Sequence, residues 1–212
     1  MKEFDSTLYF ITDSTPYSEE EFLYRTEEAL KGGVTLLQLR EKNRTTREYI
    51  NLAQKTHEIA RRYNVPLIID DRIDVALAVK CEGVHLGQSD MPIKTAREIL
   101  GGDFIIGATT KTVPQAKEAY EQGADYCGVG AIYPTTTKVK TVLTSTQTLS
   151  EICEAVPIPV NAIGGLNKSN VSVLEGIKIA GICVVSAIMH SENPKKEAES
   201  LLVIAKRLTN KA

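Results

Sequence analysis

The feature that most constrains this chain is the regular exchange of two hydrophobic periods along its length. Short apolar runs recur at Leu8 to Thr12, Leu36 to Arg40, Leu67 to Asp70, Gly83 to Leu86, Phe104 to Ala108, Tyr126 to Ala131, Pro159 to Ile163 and Gly181 to Ser186. Their side chains do not alternate with polar ones, the pattern of strands covered on both faces. Between them lie longer amphipathic segments with helix-capping spellings: Ser18 with Glu21, Thr45 with Glu48, Thr112 with Gln115, and Thr144 with Gln147. Pro92 and Pro194 suit the first turns of two further helices. Asn-Gly hairpin signals are absent between the runs, which favours parallel connections. Eight strand–helix alternations in 212 residues predict one α/β domain, a single-domain (β/α)8 barrel over residues 1–212, rather than an open doubly wound sheet.

Composition narrows the function classes. A formal net charge of −2, with 25% charged residues, provides no basic field for nucleic acid or for a membrane surface. No apolar run reaches spanning length, and Met1-Lys2-Glu3-Phe4-Asp5 has no basic stretch followed by an apolar core, so the expected location is the cytoplasm. Cys81, Cys127, Cys153 and Cys183 lie far apart without a CxxC pair, which suggests neither zinc nor a disulfide framework.

In a barrel, the residues that follow each strand share one mouth, where such folds place their chemistry. Asp70 and Asp71 end the third run, and neighbouring carboxylates repel unless a cation lies beside them. Magnesium, which takes one or two carboxylates plus phosphate oxygens, suits this position; a helix cap at Asp71 is the plainer alternative. Asp90, after the fourth run, can complete a metal site with Asp71 or can cap the helix near Pro92. Strand alternation places Gln38, Arg40 and Lys42 on one side of the second run and Leu39 and Glu41 on the other. An inward Arg and Lys need an anion, a diphosphate or an internal salt bridge to Asp70 or Asp71. His85 reads as a hydrogen-bonded interior histidine. Thr109 and Thr110 supply hydroxyls, as do Thr135 and Thr137 beside the cation of Lys138. These last three fall in the one long connection, about 133–145, expected to act as a lid. Gly164-Gly165 and Val185-Ser186 end the last two runs, where barrels often bind a phosphate monoester. The implied chemistry joins two phosphorylated molecules, with a metal-bound diphosphate as leaving group.

These motifs together identify a family. Gln38-Leu39-Arg40-Glu41-Lys42, Ile69-Asp70-Asp71-Arg72, His85-Leu86-Gly87-Gln88-Ser89-Asp90, the stretch Gly128 to Lys138, Ile163-Gly164-Gly165 and Val184 to Ile188 stand in the order and spacing of thiamine-phosphate synthases. The resemblance runs from Leu8 to about Leu208. It implies coupling of hydroxymethylpyrimidine diphosphate with thiazole phosphate to give thiamine phosphate and diphosphate, with Mg2+ as cofactor. It places diphosphate binding on Gln38, Arg40, Lys42 and Lys138, and magnesium on Asp71 and Asp90. The thiazole phosphate falls to Thr135, Thr137, Gly165, Val185 and Ser186. Thr109 matches a family serine near the reacting pyrimidine. The implied partners are small-molecule substrates, with a homodimer left open.

Three departures stand out. Asp70 replaces the family's usual Asn, adding negative charge beside the diphosphate. Ala131 replaces a common proline, and Lys111 stands where a His is frequent. Two rival readings follow. One is a thiazole tautomerase of the same superfamily, which would want a His where this chain has Thr109-Thr110-Lys111. The other is a non-catalytic paralogue that binds thiamine or thiazole phosphate, for which Asp70 is the best support.

Overall fold

A computed structural model describes residues 3–135 and 142–210. Its strands are β1 (Leu8–Ile11), β2 (Leu36–Leu39), β3 (Leu67–Asp70), β4 (Gly83–Leu86), β5 (Ile105–Thr110), β6 (Tyr126–Gly130), β7 (Val160–Ile163) and β8 (Gly181–Val184). All pair in parallel with their sequence neighbours, and β8 returns to β1 to close the barrel. The helices are α1 (Glu19–Lys31), α2 (Thr46–Arg62), α3 (Ile73–Val79), α4 (Ile93–Leu100), α5 (Val113–Glu121), α6 (Thr146–Ala155), α7 (Ser186–Met189) and α8 (Pro194–Leu208). No helix among the described residues is long and apolar enough to cross a membrane.

Local chemistry sets the helix starts. Ser18, Thr45 and Thr112 are N-caps whose side chains accept from the amide three residues on, and Thr45 with Glu48 forms a complete capping box. The fourth cap falls one residue later than the spelling predicts. Ser145, not Thr144, accepts from Thr148 N, because Thr144 instead donates its amide to the Ala131 carbonyl at 2.8 Å and is buried. Pro194 occupies the first turn of α8, whereas Pro92 is itself the N-cap of α4. One crossover departs from the expected alternation. Between β7 and β8 the chain makes only the 3-10 turn Val171–Leu174, which buries Val171 and Leu174 three residues apart on one side.

The parallel strands send alternate side chains to two cores. Leu8, Phe10, Leu37, Leu39, Leu67 and Ile69 join the large layer between barrel and helices. Tyr9, Ile11, Leu36, Ile68, Ile105, Tyr126 and Cys183 form a separate cluster inside the barrel. Burying each aliphatic side chain stabilises the fold by about 1.5–3 kcal/mol. The same alternation continues past the strand ends, so each inward position one step beyond a filled layer emerges at the mouth.

Candidate active site

The β2–β4 side of the mouth is built around one ammonium and three carboxylates. Leu39 packs outward and Glu41 meets Ser14 Oγ at 2.9 Å and Arg44 Nε at 3.0 Å, so Arg40 and Lys42 turn inward as alternation requires. Lys42 Nζ lies 2.7 Å from Asp70 Oδ2 and hydrogen-bonds Asp71 Oδ2, while Arg40 Nε stands 3.7 Å from Asp70 Oδ2. Asp71 sits at φ +60°, a left-handed conformation that costs a non-glycine residue about 1–3 kcal/mol. Its amide donates to the His85 carbonyl at 2.9 Å, which ties the end of β3 to β4. The capping alternative for Asp71 does not hold: Arg72 is the N-cap of α3, without a side-chain cap bond, and its guanidinium goes to Asp74 and Thr46. Nor does Asp90 cap α4. Its Oδ2 accepts from Gly87 N at 2.6 Å, and its carboxyl shares a hydrogen bond with Asp71.

These groups perturb one another strongly. Burial, then the Asp71 charge, raises Asp70 to about 6 against the pull of Lys42 and Arg40. At Asp71 burial acts in the same sense, but Lys42, with smaller help from Asp90 and His85, makes the net shift downward. Burial raises Asp90; the Gly87 amide opposes this, and the bond shared with Asp71 adds to it. Burial pulls the Lys42 pKa down, yet the two aspartates hold it above the ordinary lysine value. Two carboxylates that share a hydrogen bond are short of a cation. The pair Asp71 and Asp90, with phosphate oxygens filling the remaining positions, fits magnesium, a hard ion content with few protein ligands. Among the described residues no set of three or more His, Cys, Asp or Glu gathers as an all-protein metal site would need.

Gln38 and Thr109 flank this cluster on the inner wall. Gln38 is buried and donates Nε2 to Tyr9 OH at 2.6 Å. Thr109 Oγ1 lies 2.8 Å from His85 Nε2, and its carbonyl accepts from Gln88 Nε2 at 2.7 Å. His85 is thus the bonded interior histidine expected. Its Nδ1 partner is Tyr126, whose hydroxyl in turn meets Tyr9; neither tyrosine is marked by the sequence, because a tyrosine inside an apolar run is indistinguishable from core without knowing what faces its hydroxyl.

The β6–β8 side is made of backbone. Gly164 and Gly165 have φ of +106° and +64°, which lets the chain turn sharply after β7. A Cβ at Gly165 would stand 2.8 Å from both the Pro134 carbonyl and Tyr133 Cβ, so the β6 loop packs directly on this glycine. Tyr133 N donates to the Gly164 carbonyl at 3.0 Å, and Asn170 Nδ2 donates to the Gly165 carbonyl at 2.8 Å. Thr135 closes the described part of this loop; Thr137 and Lys138 lie outside the described residues, as does the middle of the connection expected to act as a lid. Val185 follows β8 directly and Ser186 opens the short α7.

A closed parallel barrel with acids, cations and hydroxyls at one set of strand ends and a glycine turn plus short helix at the next belongs to the phosphate-handling (β/α)8 enzymes. A family profile described as thiamine monophosphate synthase matches residues 8–188, and the chain belongs to that family. It is 50% identical over 202 residues to the thiamine-phosphate synthase of Methanobrevibacter smithii, covering 95% of this chain and 96% of the relative. It is 48% identical to thiamine-phosphate synthase 2 of Streptococcus pneumoniae over 92% of this chain and 93% of that one. Among solved structures, the thiamine phosphate pyrophosphorylase of Pyrococcus furiosus superposes with a TM-score of 0.87 at 40% identity, over 95% of this chain and 96% of that one.

Proposed function

We propose that this chain couples hydroxymethylpyrimidine diphosphate with thiazole phosphate, releasing diphosphate and forming thiamine phosphate, in the cytoplasm. The observation that carries this reading is the Lys42 ammonium set between Asp70 and Asp71, with Asp90 bonded to Asp71. Such a cluster matches a diphosphate that arrives with its own cation. Asp71 and Asp90 would hold magnesium, which supplies charge neutralisation on the departing diphosphate. Arg40 and Lys42, joined by Lys138, would grip the leaving oxygens once the diphosphate replaces Asp70 as their partner, with Gln38 beside them. Thr109 would meet the pyrimidine. On the other side, Thr135, Thr137, Gly165, Val185 and Ser186 would hold the thiazole phosphate, mostly through backbone N–H groups.

The reaction is a dissociative substitution. The aminopyrimidine spreads the positive charge that develops on its exocyclic methylene as the C–O bond to diphosphate breaks. Oriented cations stabilise the growing negative charge without a protein nucleophile. The thiazole nitrogen, positioned by its phosphate, then bonds to the methylene carbon at short range. The test is diphosphate release with both substrates, with one alone, and with magnesium removed. Release that requires both substrates and magnesium supports the coupling reaction. Proton exchange on the thiazole without diphosphate release would identify a tautomerase instead, and ligand binding without turnover would identify a non-catalytic paralogue.

A further inference from the structure

The barrel interior carries an unbroken run of hydrogen bonds from β2 to β5. Gln38 Nε2 donates to Tyr9 OH at 2.6 Å; the Tyr9 and Tyr126 hydroxyls are 2.7 Å apart; Tyr126 OH is 3.0 Å from His85 Nδ1; His85 Nε2 is 2.8 Å from Thr109 Oγ1. Both phenols are completely buried. Burial raises both pKa values well above the ordinary phenol range, so each hydroxyl keeps its single hydrogen.

Counting hydrogens ties every link of the run to the orientation of the Gln38 amide. With the Gln38 amide donating, Tyr9 must donate to Tyr126, and Tyr126 must donate to His85 Nδ1. The imidazole hydrogen then sits on Nε2 and points to Thr109, which leaves the Thr109 hydroxyl hydrogen free for the mouth. Reversal at any single link would set two hydrogens, or two lone pairs, against each other in a dry interior, where an unmade bond is costly. The run therefore has two self-consistent states, the one described and its complete reversal with the Gln38 amide turned over.

The fold makes room for this run at the expense of side chains. A Cβ at Gly107 would lie 2.1 Å from Tyr126 Cζ and 2.5 Å from His85 Nδ1, and one at Gly128 would lie 3.2 Å from His85 Cε1. Two strand positions are thus bare where the tyrosine and histidine meet.

We infer that Tyr9, Tyr126 and His85 are positioning residues that lock the donor–acceptor polarity of Thr109 to that of Gln38, so that Thr109 enters the mouth as a hydrogen-bond donor to the pyrimidine substrate. This rests on the assignment of Thr109 to the pyrimidine side of the coupling reaction. None of the three touches substrate. They act through the two residues that do.

The test uses the full-length protein labelled with 15N-histidine, alongside steady-state kinetics with each substrate varied. In the unsubstituted protein the His85 imidazole should show a hydrogen on Nε2 and a bare Nδ1. Tyr126→Phe keeps the ring and removes the hydroxyl; it should scramble that pattern and raise KM for the pyrimidine diphosphate about tenfold, with KM for thiazole phosphate within about twofold. Tyr9→Phe should move both readouts in the same direction by less. Should the tyrosine variants fold poorly, Thr109 decides: Thr109→Val should raise the pyrimidine KM and leave Nε2 protonated, and an imidazole hydrogen moved to Nδ1 in that variant overturns the inference. A hydrogen on Nδ1 in the unsubstituted protein overturns the inference. So does a Tyr126→Phe variant with unchanged imidazole and kinetics, or with both KM values raised equally. If the unsubstituted protein fails to couple the substrates, the proposed function falls, while the imidazole pattern still decides whether the run has the stated direction.

Discussion

The two sides of the barrel mouth are made of different materials. From β2 to β4 the rim is side-chain charge: Arg40, Lys42, Asp70, Asp71 and Asp90 crowd together beside a strained backbone at Asp71, with perturbed pKa values and the buried Asp70 Oδ2 ion-paired but left without a hydrogen-bond partner. From β6 to β8 it is main chain, with Gly164 and Gly165 in left-handed turns and their carbonyls already bonded to Tyr133 and Asn170. On the proposed function, the charged rim is a set of partnerships that an incoming diphosphate and its cation would replace. A backbone rim is settled before any ligand arrives and offers shape and N–H groups. The contrast suggests that substitutions on the first side change chemistry, and those on the second change only the grip on one substrate.

The largest effect expected from that division is at Asp71. Asp71→Ala should lower turnover by about 10²–10³-fold, with thiazole-phosphate binding by titration calorimetry altered by no more than about twofold. Equal losses in both would erase the distinction between the two sides. Next comes Lys42→Met, which strips the shared ammonium from two aspartates. In magnesium-free buffer it should destabilise the fold by about 1–2 kcal/mol, a figure reduced for its partial exposure, and magnesium should restore part of the loss in thermal melts. If magnesium restores nothing, the ammonium and the ion do not serve the same carboxylates.

The opposite side answers at Gly165. An alanine there meets the Pro134 carbonyl and Tyr133 Cβ at 2.8 Å from a left-handed backbone. Gly165→Ala should therefore raise KM for thiazole phosphate about tenfold and leave KM for the pyrimidine diphosphate near its original value. A rise confined to the pyrimidine diphosphate would place the two grips on the wrong sides.

How much of this was legible depends on whether a signal is local. The strands were, because an uninterrupted apolar run such as Leu67-Ile68-Ile69 has few other uses, and strand alternation was enough to turn Gln38, Arg40 and Lys42 inward. The caps were legible to within one residue; Thr144 and Ser145 carry the same chemistry, and only the contact with Ala131 separates them. The 3-10 turn at Val171–Leu174 was not, since a single buried turn lacks the length that periodicity needs. The left-handed Asp71 and the bare position at Gly107 were not legible either. Each is demanded by a partner on another strand, His85 in one case and Tyr126 in the other.

Asp70 gives the smallest expected effect on substrate binding and probes the charged side from within. Its carboxyl ionises near 3.8 in an unfolded chain and near 6 when folded. Below about 4 both states hold the proton and the residue is neutral to stability. Between those values the unfolded chain loses its proton first, so the folded state loses stability as pH rises, and above 6 the full penalty applies. Asp70→Asn has no proton to lose. In magnesium-free buffer the variant should gain on the parent progressively from about pH 4 to pH 6 and then hold a constant lead, on the order of 1–3 kcal/mol at most given the coupling to Asp71. With less negative charge beside Arg40 and Lys42, it should also bind the pyrimidine diphosphate about two- to fivefold more tightly. A stability difference independent of pH would mean that Asp70 is ionised throughout, and that Lys42 and Arg40 hold it more strongly than its burial opposes.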